Sequence, residues 1–107
     1  ISPFAYLDPK FLGKYVNHSC KPNCGVNGRQ TLAALRKIHV NEEITYDYAM
    51  TDWDNFSFNC NCGEDNCREL IRGYKFLPQK KREEYTGIVS PYLEKLEIEF
   101  NQNIRRL

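Results

Sequence analysis

The segment YVNHSCKPNCG, Tyr15–Gly25, gathers one histidine, two cysteines, two asparagines and a proline into eleven residues. Pro22, with glycines at 25 and 28, leaves no room for a helix, so the spacing predicts a polar loop. A second cluster, CNCGEDNC, places Cys60, Cys62 and Cys67 among Asn, Glu and Asp. Buried structural thiols sit in apolar sequence, and these do not. The spacing Cys-x-Cys-x4-Cys instead suits a metal. A structural zinc site takes four ligands in a tetrahedron, and this cluster supplies three, with Gly63 and Asn66 allowing the tight turn. The fourth ligand has to come from the first cluster, as Cys20 or Cys24. Such a site would tie a loop near residue 20 to one near residue 65, a long-range contact that a small core secures poorly by itself.

Around these clusters the chain reads as ordinary globular protein. Its 107 residues suit one domain, with 41% hydrophobic and 27% charged residues. Fifteen Lys and Arg balance fourteen Asp and Glu, a net charge of +1, so no concentrated basic face calls for nucleic acid. No apolar run reaches the roughly 20 residues that span a bilayer, and no membrane association is expected. The start, ISPFAYLDPK, lacks the basic-then-apolar pattern of a leader. Five cysteines, an odd number, fit a disulfide framework poorly. An intracellular location, cytoplasmic or nuclear, is therefore expected.

The pattern also suggests local structure. The stretch before Asn17 mixes aromatics with Pro3, Pro9 and Gly13 and reads as short extended pieces. TLAALRKIHV, 31–40, is expected to be a strand. NEE is a turn in which Asn41 tolerates a left-handed backbone. ITYDY, 44–48, alternates with period two, which would put Ile44, Tyr46 and Tyr48 on one face and Thr45 and Asp47 on the other. AMTDWDNFSFN reads as an aromatic-bearing loop. Pro78 opens a short helix through Tyr85 that Gly87 ends, with Lys80–Arg82 on its solvated surface. Ser90 and Pro91 form the N-cap and first position of a last helix, with Leu93, Leu96, Phe100, Ile104 and Leu107 on one stripe.

Taken together, YVNHSCKPNC, EEITYDY and CNCGEDNCRELI resemble the C-terminal half of a SET domain and its post-SET motif, as in SET-type protein-lysine methyltransferases. The resemblance runs from about Tyr6 to Gly73, and LPQKKREEYTGIVSPYL is similar to the extension of small stand-alone SET proteins. It implies an α+β, mainly β fold. This is the C-terminal part of the SET β-clip, with pseudoknot-like threading, a zinc-bound post-SET loop and short C-terminal helices. The corresponding divisions are 1–55, 56–74 and 75–107.

By the same resemblance the cofactors are S-adenosylmethionine and Zn2+. Asn17 and His18 line the pocket for S-adenosylmethionine, with Tyr48 also against it; Phe58 and Leu70, on either side of the cysteine cluster, are placed to touch the adenine, with plain packing as the alternative. The fourth zinc ligand is Cys20, joining Cys60, Cys62 and Cys67, and Cys24 is left as a free thiol. Tyr48 takes the catalytic position. Tyr46 occupies the position, Phe or Tyr in the family, associated with the number of methyl groups added, and a Tyr there implies mono- or dimethylation. Asp47 supports backbone geometry and is not a base. The implied partner is a lysine-containing protein or peptide, histone or non-histone.

The sequence departs from the family pattern at several points. Lys14-Tyr15 stands for Arg-Phe or Arg-Tyr, Lys21 for an acidic residue, and Arg68-Glu69 for Arg-Gly. Glu69 makes a positive φ less comfortable at that position. The Gly-x-Gly segment that opens a SET domain is missing from these residues. A chain starting inside the fold would need an N-terminal half for activity and would expose core surface to another chain. The competing expectations are an inactive zinc-stabilised SET-like binding module and a zinc interaction domain unrelated to methylation.

Overall fold

The structure, a computed structural model, describes residues 4–5, 16–27 and 31–105. The expectations for the opening stretch before Val16 (apart from Phe4–Ala5) and for Lys14, Tyr15 and Gly28 lie outside the described residues. Seven short strands are described. They are β1 (Phe4–Ala5), β2 (Asn17–His18), β3 (Cys24–Val26), β4 (Leu32–Ala34), β5 (Thr45–Tyr46), β6 (Ser57–Asn59) and β7 (Leu70–Arg72). Two 3-10 turns, Tyr48–Met50 and Tyr74–Phe76, and two helices, α1 (Gln79–Glu84) and α2 (Pro91–Arg105), complete them.

Three separate small sheets result. β1, β4 and β3 form one antiparallel sheet in that order, and β6 and β7 pair antiparallel. β2 and β5 pair in parallel, with Asn17 opposite Thr45 and His18 opposite Tyr46. A parallel pair needs a crossover, and the β3–β4 hairpin supplies it. The first motif thereby lies beside the tyrosine motif.

The strand expected over 31–40 ends at Ala34. Beyond it, the Arg36 guanidinium turns to the Lys37 carbonyl and the Glu42 carboxylate, and Glu42 also accepts from the His39 N–H. These local bonds replace a ladder, and the turn closes with Asn41 at φ 68°. ITYDY likewise stops being a strand after Tyr46. Asp47 accepts a hydrogen bond from the Ala49 N–H and caps the 3-10 turn, so Tyr48 leaves the strand. Ile44 is exposed and does not share a face with the tyrosines. The region expected to be a loop over 49–59 includes β6, because Ser57–Asn59 pairs with Leu70–Arg72.

The main core gathers Val26, Leu32, Tyr46, Met50, Tyr74 and Leu93, with Cys24 among them. Burying such side chains stabilises by about 1.5–3 kcal/mol each before the entropy of ordering is counted. The C-terminal segment belongs to this core. The Val26 N–H donates to the Ile88 carbonyl at 2.8 Å, and the Ser90 N–H to the Met50 carbonyl at 2.8 Å. Helix α2 starts at Pro91 as expected, but the Ser90 hydroxyl is buried without a partner and does not cap it. Among the described residues its apolar stripe is fully buried only at Leu93. Leu96 is half-buried, and Phe100 is largely exposed while its ring meets Trp53. The side chains of Ile104 and Leu107 lie outside the described residues. A second, smaller cluster holds Cys20, Cys60 and Ile71, with Phe56 and Phe58 against it.

Candidate functional site

The β2–β5 pairing sets the frame of the site, and side-chain bonds then tighten it. The Tyr48 N–H donates to Nδ1 of His18 at 3.0 Å. Burial lowers the His18 pKa, with the Asp47 charge opposing, so a neutral ring offers the lone pair this bond needs. The Tyr48 hydroxyl donates to the Val16 carbonyl at 2.7 Å. Around the Tyr48 ring stand Tyr46, His18 and Phe58, with centroids 5.0, 5.3 and 5.7 Å away. His18 also meets the Phe58 ring edge-on at 5.4 Å.

Above this aromatic group opens a cleft of about 580 Å3. Asn17, His18, Tyr48 and Phe58 line it, and Cys60 and Cys62 reach its wall. Exposed Asn17 donates its amide to the Glu43 carboxylate at 2.6 Å. Tyr46 is 2% exposed and packs against Tyr48 without lining the cleft, and burial pushes its hydroxyl up to about 12. Burial also raises the pKa of Tyr48. Both phenols therefore act as neutral hydrogen-bonding groups at neutral pH. Leu70 goes elsewhere. It is 54% exposed and lines a separate cavity of about 250 Å3 with Arg68, Arg72 and Phe76.

The ligand atoms of Cys20, Cys60, Cys62 and Cys67 all lie within 4.8 Å of one another, and Cys24 stays in the main core. Four sulfurs about 2.3 Å from one ion in a tetrahedron stand about 3.8 Å apart, so this cluster is close to the size such a site requires. The β6–β7 hairpin carries three of them. Gly63, at φ 79°, bends the loop between its strands. Asn66 lies in the turn expected of it, which the Cys67 N–H closes onto the Glu64 carbonyl at 3.2 Å, and it also donates its side-chain amide to the Cys20 carbonyl at 3.1 Å. Burial pushes the Cys20 thiol up to about 12. Burial opposes ionisation of Cys62 too, but N–H groups of Cys20 and Glu64 hold that thiol down at about 7. An all-thiol set of this shape could hold zinc, which would favour the thiolate throughout.

One constellation escaped the sequence reading. Asp47 is fully buried, and its carboxylate accepts from both Nη atoms of Arg68, at 2.7 and 2.9 Å, and from the Tyr85 hydroxyl at 2.8 Å. Arg68 follows Cys67 directly, which was the available signal. Nothing in the local sequence marks Tyr85.

Comparison with known proteins agrees with this geometry. The SET domain family profile matches residues 4–49. A histone-lysine N-methyltransferase of Candida albicans named as H3 lysine-36 specific is 36% identical over 107 residues, covering 88% of this chain and 12% of that protein. One of the same name from Mycosarcoma maydis is 32% identical, covering 92% of this chain and 10% of that protein. A probable histone-lysine N-methyltransferase, set-23, of Caenorhabditis briggsae is 37% identical over 79 residues, covering 62% of this chain and 32% of that protein. The chain thus spans a third or less of the length of these relatives. With the profile match over residues 4–49 and these relatives, the chain belongs to the SET-domain family.

Proposed function

We propose that this chain forms the C-terminal part of an S-adenosylmethionine-dependent protein-lysine N-methyltransferase. The carrying observation is the parallel β2–β5 pairing, with Asn17, His18 and Tyr48 lining one cleft that Cys60 and Cys62 of the cysteine cluster also reach. The parallel pairing of the Asn17–His18 strand with the Thr45–Tyr46 strand is read as part of the pseudoknot-like threading of the family. The divisions at 55 and 74 are read as the boundaries between SET portion, post-SET loop and extension.

In this reading Asn17, His18 and Phe58 face the cofactor, with Leu70 reaching it only if the loop rearranges. Zn2+ sits on Cys20, Cys60, Cys62 and Cys67, where it supplies a structural cross-link between the two distant loops. S-adenosylmethionine, when bound, supplies an electrophilic methyl group on a sulfonium. This chain's residues would hold a lysine amine, its proton already given up to solvent, in line for that methyl group. The protein's work is alignment and exclusion of water. A lysine must first be neutral, which costs about 4–5 kcal/mol at pH 7. The aromatic walls of Tyr48 and Phe58, with Tyr46 packed against Tyr48, favour that neutral form by withholding water from the charged one. The Tyr48 hydroxyl, already oriented by Val16, is placed to orient an amine as a neutral group. Tyr46, packed against Tyr48, is consistent with mono- or dimethylation.

The names of the relatives favour a histone lysine as substrate and hence a nuclear place of action. Among the described residues no helix is long and apolar enough to cross a membrane. The test uses the full-length protein, S-adenosylmethionine and histone-tail peptides, read by mass spectrometry. Transfer to a lysine is expected, and Tyr48→Phe should lower kcat about 100-fold or more. Calorimetric binding of the cofactor without transfer would replace this reading with that of a binding module. No binding at all would end both.

A further inference from the structure

The network at Asp47 joins three segments that the proposed chemistry treats separately. Asp47 itself precedes Tyr48 and caps its 3-10 turn, through Oδ1 accepting from the Ala49 N–H at 3.0 Å. Arg68 comes from the cysteine hairpin, and its backbone N–H donates to Sγ of Cys20 at 3.4 Å. Tyr85 comes from the C-terminal extension, just after α1. Both carboxylate oxygens are used, Oδ1 by Arg68 and Ala49, and Oδ2 by Arg68 and Tyr85. A carboxylate removed from water is tolerated only when paired and hydrogen-bonded, so each partner holds the other two in place. Arg68 is itself mostly buried, and its planar fork matches the carboxylate in a way a lysine cannot.

We infer that Arg68 and Tyr85 are positioning residues, which act through Asp47 to fix the Tyr48 turn relative to the cysteine hairpin and make the C-terminal extension part of the working site. This rests on the methyl-transfer reading for what Tyr48 does, but not for the linkage itself. Two further bonds fit the same role for the extension. The Ser90 N–H reaches the carbonyl of Met50, the last residue of that turn, and the Ile88 carbonyl holds β3. The turn is therefore gripped by the hairpin on one side and by residues 85–90 on the other.

The experiment compares full-length wild type, Tyr85→Phe and Arg68→Lys, well below their melting temperatures. Tyr85→Phe removes one oxygen and keeps the ring, so it should fold even if Arg68→Lys does not. Tyr85→Phe is expected to lower kcat about tenfold and Arg68→Lys about 100-fold, with peptide KM within about twofold, because a displaced Tyr48 costs rate and not affinity. Amide exchange in residues 66–72 should quicken in Tyr85→Phe, although Tyr85 lies outside that segment. A lower melting temperature with kcat, KM and exchange unchanged would make the network a stabilising contact alone and overturn the inference. A raised KM with unchanged kcat would also overturn it. If the wild type transfers no methyl group, the activity reading fails and exchange decides alone. Quickening in 66–72 then upholds the linkage, and unchanged exchange sinks it.

Discussion

Glu69 takes a backbone φ of 65°, the left-handed region that a side chain with a Cβ enters at a cost. The departure from glycine at this position, legible in the sequence, leaves the conformation as the turn demands. The reason is geometric, because the Glu69 carbonyl must accept from the Cys60 N–H, at 2.6 Å, to close the hairpin. Glu69→Gly should raise stability, by less than about 1 kcal/mol, since relief of left-handed strain is partly offset by the added freedom of the unfolded glycine. A urea titration measures it. Gly73 is the opposite case. Its φ of −66° suits any residue, but a Cβ there would lie 2.1 Å from the Trp53 carbonyl oxygen. The neighbouring bonds Tyr74 N–H to Asp52 and Lys75 N–H to Trp53 forbid retreat. Gly73→Ala should cost at least about 2 kcal/mol in the same titration.

The cysteine hairpin shows how a spacing argument and a structure divide the work. That Cys60, Cys62 and Cys67 could converge followed from their spacing and Gly63. Composition left Cys20 and Cys24 equal, and only the resemblance preferred Cys20. The fold separates them because β3 carries Cys24 into the main core while Cys20 turns to the hairpin. On the proposed zinc site, Cys20→Ala in the full-length protein should abolish zinc binding while Cys24→Ala keeps it, as measured by elemental analysis. Stripping the metal with a chelator should quicken amide exchange in residues 57–72 more than in α2, since the hairpin has little apolar core of its own. The tyrosine segment taught a different lesson. Period-two alternation put Tyr46 and Tyr48 together for the wrong reason, because it is the Asp47-capped turn that brings their rings to 5.0 Å.

Across the whole molecule, stability is unevenly distributed along α2. Leu93 is 0% exposed and belongs to the main core, whereas Ile98 is 59% exposed. Leu93→Ala should therefore cost about 2–5 kcal/mol, and Ile98→Ala less than about 0.5. Thermal denaturation of the full-length protein separates the two. The amphipathic pattern of the helix was readable in advance, but how far along it the burial extends depends on where its neighbours end.

Residue order alone determined the motifs, the turn positions, the helix starts and the family, because those depend on spacing and local backbone preference. Strand limits, the pairing of β2 with β5, the separation of Cys20 from Cys24 and the grip of Arg68 and Tyr85 on Asp47 were decided by the folded chain. The partners of Asp47 stand 21 and 38 positions away along the chain, where no local preference acts and where a buried charge must find its partners in space.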